Sequence, residues 1–369
     1  MTVLYSMVWQ SVGEQSSFAE LERHGVRYLK PLVQLEIALT NAESIAVNGD
    51  AAPAEPVARA VDAVSAVDKE LGEELRTQER WTELRKKIEA LPARGTHQTV
   101  TAAYGDAGDL LLALIDKVRN NSKLIRDPEA ETYYLGDGAT QELPAAVVAA
   151  TRYTDLLVNA AGSSAAGKAQ AVVDISVARS ELVSNAQDLY DNARLAVEGS
   201  GSRSLGGDLL SKFDRFNRSV EKLVPLMTPM LDGKGRVDAA QVVSARDEAQ
   251  DAAAELSEAL LAQIDVALQD RLSSLSQRRL LATGVLAVAV LLALAPVAAG
   301  LASRRRPDTA ADDEDPKQTP PPAPAHQRVA APVAVASTPW PTQSQWPDSR
   351  PHGGSDVNSG RRERFGVPQ

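Results

Sequence analysis

Few residues in this chain have the types and spacing that chemistry requires. Between Asp127 and Asp137 the order Asp-Pro-Glu-Ala-Glu-Thr-Tyr-Tyr-Leu-Gly-Asp sets Asp127, Glu129, Glu131 and Asp137 close together, and carboxylate oxygens are what a hard cation takes. The plainer use of the same residues is a helix start. Asp127 caps it, Pro128 takes the first position, and the acids favour the positive end of the helix dipole. No metal site is therefore expected. Tyr133 and Tyr134 either shape a pocket between helices or pack in a core. Arg27 and Arg152, each followed by a tyrosine, have the donors to clamp an anionic ligand between helices, although surface ion pairing is their ordinary use. The candidate ligand-binding set is Arg27, Tyr28, Tyr133, Tyr134 and Arg152.

Other chemistry is excluded by what the chain lacks. There is no cysteine, and the four histidines, His24, His97, His326 and His352, lie far apart, so thiolate metal sites, cysteine nucleophiles and short-spaced histidine ligands are ruled out. The glycine-rich stretches at 162–167 and 199–207 lack the Gly-Lys-Ser/Thr ending of a phosphate loop and follow helical rather than strand patterns. No Ser, His and Asp cluster has motif context. The expectation is a protein without catalysis and without a cofactor. A net charge of −10 argues against nucleic acid as a partner, because phosphate binding rests on clustered Lys and Arg.

The elements that must carry these residues are helices. Alanine, leucine and valine abound while aromatics make up 4% of the chain, and apolar residues recur at helical spacing with no sustained period-two alternation. The first helix is expected over about 11–47, kinked or split by Pro31, with Val26, Tyr28, Leu29, Leu32 and Leu35 on its buried stripe. Further helices are expected over about 56–91, 97–125, 128–157 (loosened at Gly136 and Gly138), 165–197 and 205–231. Breaks fall at Asn48-Gly49-Asp50, Pro92 to Gly95, Asp127-Pro128, Gly162 to Ser164, Gly199 to Ser202 and Asp232 to Gly235. The last helix starts near Val237 and meets no Pro or Gly before Ala282. If continuous, it is a stiff rod that transmits displacements a flexible linker would absorb. The fold class is all-α: elongated antiparallel helical bundles, as two stacked four-helix-type bundles sharing long helices.

Residues 280–302 read LLATGVLAVAVLLALAPVAAGLA without one charge, against the ~20 apolar residues a membrane-spanning helix needs. Arg278 and Arg279 precede the run and Arg304 to Arg306 follow it, so the positive-inside rule leans only slightly towards a cytoplasmic C-terminus. Residues 1–12, MTVLYSMVWQSV, resemble the interfacial end of a first membrane helix. Residues 303–369 hold 12 of the 21 prolines and nearly equal numbers of basic and acidic residues. They form a tail too poor in apolar surface to fold. The acidity therefore belongs to residues 13–279, the helical body.

The stretch HGVRYLKPLVQLEIAL at 24–39, with Gly25, Tyr28 and Leu29, and NNSKLIRDPEAETYYLGD at 120–137, with Asp127, Pro128, Glu129, Glu131, Tyr133, Tyr134, Leu135 and Asp137, resemble the extracytoplasmic helical sensing region of bacterial methyl-accepting chemotaxis proteins and sensor histidine kinases. The resemblance implies a sensory input module in a cell membrane, its body outside the cytoplasm and its tail inside. In that group a signalling linker and a kinase or coiled-coil hairpin follow the second membrane helix. Here a Pro-rich stretch follows, without kinase boxes or a phospho-acceptor helix. The expected partners are the membrane, a second copy of the chain in a homodimer, a separate cytoplasmic output protein or tail-binding protein, and a small-molecule ligand of unstated identity. The alternative is a structural scaffold whose bundle oligomerises and whose tail binds a partner, with no ligand.

Overall fold

Apolar residues at three- and four-residue steps decide the course of every helix. The computed structural model describes residues 2–161, 165–199, 207–231 and 237–303; the tail expected to be disordered lies outside the described residues beyond Ser303. No strand occurs among the described residues. In chain order the helices are α1 (Thr2–Val47), α2 (Ala54–Leu71), α3 (Gln78–Glu89), α4 (His97–Asn121), α5 (Ala130–Asp137), α6 (Leu143–Ala161), α7 (Ala165–Gly199), α8 (Gly207–Leu223), α9 (Thr228–Leu231) and α10 (Ala239–Ser303). Short 3-10 turns at Leu124–Arg126 and Val224–Met227 and a π-helical turn at Gly138–Glu142 join some of them.

α1 is the shared member. It lies antiparallel to α10 along its length, with Arg23 paired to Asp265 and Gln34 to Glu258, and it also packs on α2, α4 and α6. One four-helix group is α1 to α4; α6, α7, α8 and α10 make the other. The class is all-α, as expected, and α1 and α10 pack where the two groups meet. Leu29, Leu32 and Leu35 of α1 and Leu256, Leu260 and Ile264 of α10 are at most 2% exposed. Alanines 249, 252 and 253 let the backbones approach. Gly25 serves the same end: a Cβ there would lie 2.3 Å from that of Ser122.

Three expectations about the helices need correction. Pro31 does not split α1, which runs through it unbroken; packing on both sides outweighs one lost backbone hydrogen bond. The helix expected over 56–91 is two helices that reverse at Gly72 to Thr77. Asp68 holds that turn, accepting 2.7 Å hydrogen bonds from the Tyr28 and Thr77 hydroxyls in a buried position, and Arg76 turns the chain at φ +53°. The helix expected to begin at Pro128 begins at Ala130, because the Asp127 carboxylate accepts from the Glu129 N–H at 2.8 Å and holds the preceding residues in a turn.

α10 runs 65 residues without interruption, roughly 98 Å at helical rise. The rod expected from Val237 is thus continuous with the apolar stretch. It is a helix long and apolar enough to cross a membrane, and none of its most apolar window is buried. Leu280, Leu281, Leu291 and Leu292 are each at least 68% exposed, an arrangement that fits surroundings of hydrocarbon rather than water.

Candidate functional site

The acidic stretch expected to be a plain helix start is tied to the last helix. Arg271 of α10 donates through Nη2 to Asp127 at 2.6 Å, through Nε to Glu129 at 2.9 Å and through Nη1 to Glu22 of α1 at 3.0 Å. The Glu22 and Asp127 side chains are fully buried, and the Arg271 side chain is 11% exposed. Burial first, then the charge of Asp127, pushes the Glu22 carboxyl up to about 9, against the pull of Arg271. Glu22 thus holds its proton more firmly than an exposed glutamate does. Glu22 Oε1 and Asp127 Oδ2 are buried without a hydrogen-bond partner. Asp127 and Glu129 are the other acids that Arg271 contacts.

The rest of the stretch packs. Asp137 accepts from Arg119 at 3.0 Å and from Asn192 at 3.3 Å, Leu135 is buried, Pro128 lies beside Arg271, and Glu131 sits half-buried in the first turn of α5. Tyr133 and Tyr134 meet edge to face with ring centres 5.2 Å apart. Among the described residues no group of three acids or histidines is arranged to hold a metal ion. Where such an ion was conceivable, around Asp127 and Glu129, the cation is Arg271.

The candidate ligand residues are not brought to one place. Arg27 pairs with Glu70 at 2.7 Å on an exposed face. Tyr28 is wholly buried, and burial raises its hydroxyl well above the ordinary range. None of Arg27, Tyr28, Tyr133 and Tyr134 lines the cavity that Arg152 borders. That cavity, of about 330 Å³, opens between α1, α4 and α6. Its polar lining includes Glu36, Thr40 and Glu43 of α1, Thr101, Tyr104 and Asp109 of α4, and Arg152 of α6; Leu39, Leu111 and Val148 give apolar wall. Glu36 is 2% exposed and its Oε1 has no hydrogen-bond partner. Burial alone pushes this carboxyl up to about 8. Burial and then the charge of Asp155 do the same to Glu43, also to about 8. Arg152 has Glu181 of α7 at 3.9 Å.

Sequence reasoning missed these buried acids. The signal was present: Glu22, Leu29, Glu36 and Glu43 fall at seven-residue steps, so three carboxyls occupy the register of a core leucine.

The chain matches no known protein family, no curated protein and no solved structure.

Below the bundle α1 and α10 continue as a pair. The Arg279 guanidinium lies 5.5 Å from the centre of the Trp9 ring, within cation–π reach. An aromatic and an arginine thus meet one residue before the apolar stretch begins, where membrane interfaces collect them. Arg271 lies nine residues before Leu280, about 14 Å along the helix.

Proposed function

We propose that this chain is a membrane-anchored, sensor-like signal-input module, its bundle outside the cytoplasm and residues 304–369 inside, acting without catalysis and passing its state to a separate output protein. The observation that carries the reading is the Arg271 cluster. One side chain on the helix that enters the apolar stretch gathers carboxylates from α1 and from the segment leading into α5, so repacking of either must be felt by α10. The likeness of residues 120–137 to the sensing region of bacterial chemoreceptors and sensor kinases supports it. In mechanism, a ligand or partner shifts α1 against α10, and the continuous rod carries a small piston or tilt into the bilayer.

The chain has no native cysteine, so Gln34→Cys with Glu258→Cys can be joined by a short bismaleimide across the α1–α10 junction. In vesicles of each orientation the joined protein should show altered protease sensitivity of residues 304–369. An unchanged digestion pattern would count against coupling. Reporter fusions at Thr2 and Gln369 test the orientation; a cytoplasmic bundle would refute it.

A second reading, a scaffold that oligomerises, draws on α7. Val183, Tyr190 and Val197 lie at seven-residue steps and are 41%, 51% and 42% exposed, the seam of a helix pair. Val183→Glu with Val197→Glu should reduce the mass of the particle in detergent if copies associate there; an unchanged mass would refute that seam.

A further inference from the structure

We propose that the cavity between α1, α4 and α6 is a binding site for a small organic cation, an alkylammonium or short diammonium, seated on Glu36 and Glu43. This deepens the sensor reading by giving its ligand a chemical class, and rests on that reading for its purpose.

Three observations converge on the cavity. Glu36 borders it almost wholly buried, with an oxygen that no protein donor reaches. A carboxylate there has no cation of its own, and an ammonium brings three donors together with the missing charge. Thr101 Oγ1 on the facing wall is likewise buried without a partner. The second observation is the wall itself. Gly105 and Gly108 line the cavity from within α4, and a Cβ built on either meets nothing within 4 Å. Glycine inside a helix costs about 1 kcal/mol relative to alanine, and no close packing calls for it here. What the two glycines leave is room. The third is the mix of lining: Leu39, Leu111 and Val148 offer a surface for methylene groups between acids, as an alkyl chain with a charged end requires.

The sign of the charge decides the class. Glu36, Glu43, Asp106 and Asp109 border the space against the single guanidinium of Arg152. Asp106 is already taken by Lys87 at 2.6 Å, and Arg152 has Glu181 nearby, so the unanswered charge is that of Glu36, Glu43 and Asp109. An anion would face those acids with one half-committed arginine. Below about pH 8 Glu36 and Glu43 hold protons and carry no charge of their own. Tyr104 of α4 and Asp155 and Arg152 of α6 are the other ionisable groups facing them. Binding an ammonium draws the proton off, so affinity should fall about tenfold for each pH unit below about 8.

The test uses the purified full chain in nanodiscs, with 1,4-diaminobutane and butylamine as probes and butane-1,4-diol and succinate as controls, read by calorimetry and by thermal shift at pH 8 and pH 6. Saturable heat and a raised melting temperature with the amines alone, weaker at pH 6, are expected. Glu36→Gln should weaken binding by at least about tenfold. Gly108→Leu, which fills the space and leaves every acid in the chain, should abolish it while the protein stays folded. No heat with either amine at pH 8, equal binding of the diol, or full binding by Gly108→Leu would overturn the site. Should the amines bind while protease sensitivity of residues 304–369 stays the same, the sensor reading fails and the site stands. Should they not bind, the α1–α10 cross-link still judges the coupling by itself.

Discussion

Replacing Glu36 by glutamine should flatten the pH dependence of stability. In the unfolded chain this carboxyl loses its proton near its ordinary value of 4.5, whereas in the fold burial holds the proton to about 8. Between those limits the folded state binds more protons than the unfolded, so stability falls as pH rises. One such group contributes about 1.4 kcal/mol per pH unit, or about 2.7 kcal/mol between pH 5.5 and 7.5. Glutamine keeps the shape and the hydrogen-bonding ends of the protonated acid but has nothing to lose. Relative to the parent protein, Glu36→Gln should thus gain about 2.7 kcal/mol over that interval, or roughly 5 °C in melting temperature for a body of this size. The assay is helical circular dichroism during urea and thermal unfolding in one detergent, at half-unit pH steps. Parallel pH profiles for the two proteins would refute the reasoning, because they would mean that Glu36 is ionised in the fold.

Removing the cation from the α1–α10 cluster, Arg271→Met, should cost about 3 to 5 kcal/mol by leaving Asp127 and Glu129 unpaired beside Glu22; urea unfolding reads it, and a loss under 1 kcal/mol would mean the cluster is solvated. Asp68→Ala should cost about 2 to 4 kcal/mol, since the buried Tyr28 and Thr77 hydroxyls both lose their acceptor, and Tyr28→Phe should cost less; the reverse order of the two would contradict the account of the α2–α3 turn. Leu291→Asp, at the middle of the apolar stretch, should disfavour insertion by about 3 kcal/mol and move the protein towards the alkali-extractable fraction, whereas unchanged membrane retention would count against spanning.

The all-α class, the continuity of α10 and most helix ends were legible because they rest on local patterns: apolar spacing, the Gly and Pro breaks, a charge-free run of 23 residues. The reversal after Leu71 was not, because its cause is a long-range hydrogen bond from Tyr28 to Asp68, forty residues apart. Of the kink or split expected at Pro31, the split does not occur, since a local rule yields when tertiary packing surrounds the helix.

The site illustrates the same division. Asp127 and Glu129 could be picked out as chemically notable, but their partner Arg271 stands more than 140 residues away, and nothing local distinguishes it from Arg278 or Arg279. The acids of α1 were legible in principle. Glu22 and Glu36, at the register of Leu29, are buried with it, and a buried carboxyl must find a cation or keep its proton. Glu22 borders Arg271, while Glu36 finds no protein cation. Both acids ride on α1, which packs against α10 and lines the cavity, as α6 also does. Filling the cavity with a cation charges α1 at Glu36, fourteen residues from the carboxyl that contacts α10 at Arg271. α1 is therefore an element through which occupancy of the cavity and the position of the membrane helix can be linked, and the α1–α10 cross-link and the amine titration examine its two ends separately.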